Sequence, residues 1–199
     1  MRPQLVMMTK APVIGGAKTR LARHIGKVSA WRLYRAMVAK LVRRLKDRRW
    51  DFILAVAPQS ALQRRFPCVW PIGMARIGQG GGDLGARQAK LFSRFGPVCV
   101  IGSDAPQVRR SDIALAFKRL KTHDIVIGPA FDGGYWLIAA NAPLPQSVFE
   151  GVRWSHASTL SDLEGKLRAA GLDRIWHLRT LQDVDEAGDV EGAFKEARS

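Results

Sequence analysis

The sequence predicts an α/β fold of three layers, α/β/α, with a mostly parallel sheet between two layers of helices. Short apolar runs alternate with longer amphipathic stretches from one end of the chain to the other. The segments just after those apolar runs are rich in glycine and charge, where ligands bind in such sheets. The 199 residues contain no linker, repeat or low-complexity tract, which fits one domain spanning 1–199.

The elements follow in order. Residues 5–8 are an apolar run short enough for a buried strand, and 52–57, 98–101 and 125–127 read the same way. Between them, 29–45 brings Trp31, Leu33 or Tyr34, Met37, Val38, Leu41 and Leu45 to one helical face. Residues 84–95, 111–120 and 158–170 show the same periodicity, with Ser111 and Ser158 as expected N-caps. Asp132-Gly133-Gly134, between 125–127 and 135–138, is a hairpin-turn signal.

Thirty-two Lys and Arg against seventeen Asp and Glu give a net charge of +15, which favours an anionic partner. Cys68 and Cys99 stand in apolar, strand-like contexts without metal-ligand spacing, so a reduced, cytoplasmic setting is expected. No stretch reads as a signal peptide or a membrane span. His24, His123, His156 and His177 show no zinc spacing, and no Ser-His-Asp or Cys-His set can be argued.

Four loops share one address beyond the strand ends. In the first, Lys10, Lys18 and Arg20 surround Gly15 and Gly16. Backbone amides and a few cations are what phosphate recognition needs, although the loop is neither a Walker A sequence nor a dinucleotide fingerprint. The second, Gly80-Gly81-Gly82-Asp83, leads into a helix: the glycines allow close approach of a nucleotide, and Asp83 serves either that site or the helix N-terminus. In the third, Asp104 follows the most apolar strand and is placed to hold a divalent cation bridging phosphates. The fourth carries Asp132, Gly133, Gly134 and Tyr135, either as a plain turn or as the rim that positions an acceptor. Residues 183–189 form an acidic cluster in which Asp185 is either a second metal carboxylate or a helix cap.

Together these segments resemble a bacterial family of glycosyltransferase-A-like proteins, the selenodomain-associated or arsenosugar-pathway transferases. The resemblance rests on Lys10-Ala11-Pro12 with Gly15 and Lys18-Thr19-Arg20-Leu21, on Gly82-Asp83-Leu84-Gly85, and on Ile101-Gly102-Ser103-Asp104-Ala105-Pro106. It continues through Gly128-Pro129-Ala130, Asp132-Gly133-Gly134-Tyr135, Trp154-Ser155 and Asp183-Val184-Asp185. It implies the nucleotide-diphospho-sugar transferase fold, shared with molybdenum cofactor nucleotidyltransferases and phospholactate guanylyltransferases. It further implies that Lys10, Lys18 and Arg20 meet nucleotide phosphates and that Asp104 binds magnesium. Ile14 and Gly16 stand where the family usually has proline and arginine, Ala86 and Gln88 where it has glutamate and methionine, and His156 where it has threonine.

The expected activity is metal-assisted transfer of a nucleotidyl or glycosyl group from a nucleoside triphosphate or nucleotide-sugar to a small-molecule acceptor. Asp104, Asp132 and Lys18 are the expected catalytic residues. Gly81, Gly82 and Asp83 join the first loop around the nucleotide, and Mg2+ or Mn2+ sits on Asp104 and Asp185. Two alternatives stand beside it: a degenerate, nucleotide-binding member, and a nucleic-acid binder using Arg43, Arg44, Lys46, Arg48 and Arg49. For that basic block a solvated face is the favoured reading. Oligomeric state is left open.

Overall fold

A computed structural model describes residues 2–182; the acidic segment 183–189, with Asp185, lies outside the described residues. Seven strands, β1 (Gln4–Lys10), β2 (Asp51–Ala57), β3 (Ala75–Gly78), β4 (Val98–Ile101), β5 (Ile125–Pro129), β6 (Tyr135–Ala140) and β7 (Ile175–His177), form one sheet in the order β3-β2-β1-β4-β6-β5-β7. Within it, β6 runs antiparallel to both neighbours while the other pairings are parallel. The helices are α1 (Thr19–Ile25), α2 (Lys27–Leu45), α3 (Leu84–Phe92), α4 (Arg110–Arg119) and α5 (Thr159–Ala169).

Strand alternation sorts the apolar side chains into two cores. Leu5, Met7, Leu54 and Val56 pack with Tyr34 and Leu41 of α2 and Ile113 and Ala116 of α4. Val6, Ile53 and Ala55 turn the other way, toward Phe92 of α3 and Leu163 and Leu167 of α5. Burying a large aliphatic side chain of this kind is worth about 1.5–3 kcal/mol, so both helical layers are held by the sheet they cover. No described helix is long and apolar enough to cross a membrane.

Several local expectations are corrected. β3 and β7 lie at the sheet edges, where Ala75–Gly78 and Ile175–His177 are too short and too polar to read as buried strands. α2 begins at Lys27 rather than 29, and α3 ends at Phe92 rather than 95. Ser111 does not cap α4: Arg109 holds the N-cap position, and the Asp112 carboxylate accepts its amide at 2.8 Å. Ser158 is the N-cap of α5 but its hydroxyl makes no capping bond. Cys68 lies in an exposed turn between β2 and β3, not in a strand, whereas Cys99 is buried in β4.

The topology fixes where a ligand can sit. The chain steps outward from β1 to β2 to β3, then returns to place β4 on the other side of β1. Connections leaving β1 and β4 therefore diverge, opening a crevice beyond their carboxyl ends. Because β6 runs the opposite way, its start delivers residues 132–135 to the same end of the sheet.

Candidate active site

A cleft of about 480 Å³ opens at this switch point. Its floor begins at the end of β1, where Thr9 and Lys10 are held by Tyr34 from α2. The Tyr34 hydroxyl accepts the Lys10 amide at 2.9 Å and lies 2.9 Å from Thr9 Oγ1 and 3.4 Å from Ser103 Oγ. Burial raises its phenol above the ordinary range, so it stays protonated as a neutral node joining the ends of β1 and β4. Gln79, after β3, adds a second tie: its amide donates to Thr9 O at 3.1 Å and Ala55 O at 2.8 Å.

The first loop brings its cations to the cleft and leaves its glycines outside. Lys10, Lys18 and Arg20 line the cavity; Gly15 and Gly16 do not, and Gly16 packs against Val13. Lys18 is the N-cap of α1 in left-handed backbone, φ 53° and ψ 44°, a conformation that costs a non-glycine residue about 1–3 kcal/mol. Its ammonium lies 2.5 Å from Asp104 Oδ1, with the lysine side chain 3% exposed and the aspartate 44% exposed. One face of the Asp104 carboxylate therefore remains open to the cleft.

In the second loop, Gly81, Gly82 and Asp83 do not line the cavity, while Leu84, Arg87 and Gln88 do. Asp83 caps α3, accepting the Ala86 amide at 2.8 Å, so the capping alternative describes what its carboxylate does here. Arg87 folds back over the loop, donating to Gly82 O at 3.0 Å and to Gln79 Oε1 at 3.4 Å. The Gln88 that departs from the family pattern is buried and accepts the Tyr135 hydroxyl at 2.8 Å. Tyr135 is thus a wall of the cleft with its hydroxyl already engaged, its phenol raised by burial.

Asp132 and Gly134 line the opposite side, and Asp132 Oδ1 accepts the Gly134 amide at 2.9 Å. Gly133 turns away from the cavity at φ 84°, and a Cβ there would collide with the Ala157 carbonyl. That close approach docks the turn onto the start of α5, where the Leu160 amide donates to Gly133 O at 2.9 Å. The docked segment, Trp154-Ser155-His156, lines the cleft as well, with Ser155 left-handed at φ 56°. His156 Nδ1 accepts the Ser158 amide at 3.1 Å, which places the ring proton of the neutral imidazole on Nε2.

Thus Asp104, Asp132, Lys10, Lys18, Arg20, Gly134 and Tyr135 line one cavity, whereas Gly15, Gly16, Gly81, Gly82, Asp83 and Gly133 lie in the loops behind it. Tyr34, Gln79, Gln88 and His156 were not anticipated as lining residues. For His156 the adjoining Trp154-Ser155 motif is a usable signal; for the other three the partners are far away in sequence.

Comparisons with known proteins agree with this architecture. No curated protein matches the chain in sequence. A solved structure from Desulfovibrio desulfuricans G20, provisionally designated a nucleotide-diphospho-sugar transferase, is 30% identical and has a TM-score of 0.85, covering 94% of this chain and 84% of that one. CMP:2-keto-3-deoxy-manno-octonic acid synthetase complexed with CTP is 13% identical with a TM-score of 0.56, covering 100% of this chain and 99% of that one. The 4-diphosphocytidyl-2C-methyl-D-erythritol synthase of Anaerococcus prevotii DSM 20548 is 10% identical with a TM-score of 0.56, covering 100% and 96%. These neighbours share the nucleotide-diphospho-sugar transferase fold, which is the fold of this chain. The family profile described as "Uncharacterized protein conserved in bacteria (DUF2064)" matches residues 40–156, and the chain belongs to that family.

Proposed function

We propose that the protein is a nucleotide-dependent transferase that moves a nucleotidyl or glycosyl group from a nucleoside triphosphate or nucleotide-sugar to a small-molecule acceptor. The observation that carries this reading is the meeting of Lys10, Lys18 and Arg20 with Asp104 and Asp132 in one cleft at the switch point of the sheet. The fold neighbours, among them a synthetase complexed with CTP, support a nucleotide as donor.

In this reading Lys10, Lys18 and Arg20 neutralise the donor phosphates, and Arg87 closes the nucleotide side beside Gln79. Asp132, held by the Gly134 amide, orients the acceptor on the far wall together with the Nε2–H of His156. Asp104 is the described residue to hold Mg2+ or Mn2+, which supplies charge neutralisation at the transferring phosphate. The donor set fits such an ion. No group of three or more His, Cys, Asp or Glu gathers into a cage among the described residues, and magnesium ordinarily takes one or two protein carboxylates beside phosphates and water. The protein then contributes positioning and electrostatics rather than covalent chemistry.

Thermal-shift binding of a panel of triphosphates and nucleotide-sugars, with and without Mg2+ or Mn2+, tests the reading. A ligand at a hundredfold excess over its dissociation constant adds about 2.7 kcal/mol of apparent stability. A metal-dependent shift with one base is the expected outcome. Release of pyrophosphate then marks nucleotidyl transfer, and release of a nucleoside diphosphate marks glycosyl transfer. No shift with any nucleotide, in a folded sample, overturns the donor site.

A further inference from the structure

We infer that Lys18 guards the Asp104 carboxylate, so that Asp104 opens to a divalent cation only after nucleotide phosphates have drawn the lysine away. The inference rests on the nucleotide-transfer reading above and adds an order of binding to it.

Three observations carry it. The Lys18 ammonium sits 2.5 Å from Asp104 Oδ1 and is almost wholly out of water, so the carboxylate that would hold a metal already supports a buried cation. An ammonium in such a place needs an anion beside it, and it leaves only for a better one. Secondly, no three-carboxylate or histidine cage exists among the described residues to hold an ion without Asp104. With its charge offset by Lys18, Asp104 is a weak ligand for a free divalent cation. Thirdly, Lys18 lies at the junction of the loop and α1 in left-handed backbone and lines, beside Asp104, the same cavity that Lys10 and Arg20 line.

A polyphosphate entering that cavity offers Lys18 several negative charges in place of one half-exposed carboxylate. Lys18 turns to the phosphates, and Asp104, stripped of its counter-charge, faces the same phosphates across the cleft. Nucleotide and cation then strengthen each other's binding by one and the same factor. The unliganded site holds free cations only weakly.

Direct Mn2+ binding without nucleotide, read from the free-ion electron paramagnetic resonance signal, tests this. Wild type should bind weakly. Lys18→Met should bind Mn2+ about tenfold more tightly, a factor within the usual range of site coupling. Lys18→Met combined with Asp104→Asn should return to the weak value. Lys10→Met removes the same charge from the same cleft without freeing Asp104, and should leave Mn2+ affinity near that of wild type. The inference is overturned if Lys18→Met binds no more tightly than wild type, or if Lys10→Met gains as much, which would reduce the effect to the general field. Circular dichroism verifies folding, and Lys18→Gln carries the same comparison should the methionine variant fail to fold. Failure of the nucleotide panel on wild type sinks the transfer reading by a separate measurement.

Discussion

Lys18 and Asp104 depend on each other unequally. The ammonium is nearly out of water, while the carboxylate keeps an open face. Removing the carboxylate takes the anion away from a buried ammonium; removing the ammonium leaves an aspartate that water can solvate. Asp104→Asn should therefore destabilise the fold by about 1–3 kcal/mol, below the range for fully buried pairs because one partner is half exposed. Lys18→Met should cost clearly less, and the double variant should recover part of the loss. Urea denaturation of the three proteins checks this, and equal costs for the two single variants would sink the asymmetry. Tyr34 makes a second prediction at this scale. Tyr34→Phe deletes the hydroxyl that the Lys10 amide and Thr9 share, leaving buried polar groups short of a partner at a cost of about 1–3 kcal/mol. A loss much under 0.5 kcal/mol in the same assay would show that water or a neighbour replaces it. The cations of the first loop were legible in the sequence because charge beside glycine after a strand has a local meaning. Tyr34 was not. It reads as one more position on the buried face of a helix, and its partner Ser103 lies 69 residues away. Gln88 was hidden for the same reason, its tyrosine being 47 residues on.

At the scale of elements, four interior strands announced themselves as apolar runs, and the turn between β5 and β6 was readable from Asp132-Gly133-Gly134. The edge strands were not, since a strand paired on one side need not be apolar throughout: β3 carries Arg76 and β7 ends on His177. Nor could the sequence show that the segment 154–156 would fold back onto the turn at Gly133, because that contact depends on where α5 starts. Arg153 and Asp162 hold this entry. The guanidinium forks onto the carboxylate at 2.8 and 2.8 Å, and the Arg153 amide donates to it at 3.1 Å. Those bonds hold the Asp162 carboxyl down at about 2, below its ordinary 3.8. A carboxyl that titrates lower in the folded state than in the unfolded one contributes its full stability above its ordinary pKa and loses it as pH falls toward the folded value. Asp162→Asn should accordingly speed hydrogen exchange of the 153–159 amides near neutral pH. The gap from wild type should close between pH of about 4 and about 2. A gap that persists unchanged to the lowest pH would mean the carboxylate's charge plays no part in holding the segment.

Over the whole molecule, the +15 charge is the feature that local motifs explain least. The basic block at the end of α2 is partly consumed by the fold. Arg44 donates to Pro106 O at 2.8 Å and Val108 O at 3.1 Å, and Arg49 forks onto Asp47 with both bonds at 2.9 Å. Asp47 also meets Arg110 at 3.5 Å, so α2 and α4 are pinned together through these groups. Arg43, Lys46 and Arg48 stay exposed, as a solvated face does. The remaining excess acts as a field rather than as a docking code: it raises the local concentration of any anion and guides it toward a cleft lined by Lys10, Lys18, Arg20 and Arg87. That distinction can be measured. If the field serves a small anionic substrate, the association rate of the preferred nucleotide should fall about tenfold between about 0.02 M and about 0.3 M salt, with dissociation little changed. Duplex DNA should bind no more tightly than about 10⁻⁶ M at physiological salt, the non-specific range. Reversing Arg43 and Arg48 to glutamate should slow nucleotide association modestly and leave the folded structure intact, since neither side chain is buried. DNA affinity well beyond the non-specific range, lost on that reversal while nucleotide kinetics stay unchanged, would instead make the basic face a nucleic-acid surface and separate it from the chemistry of the cleft.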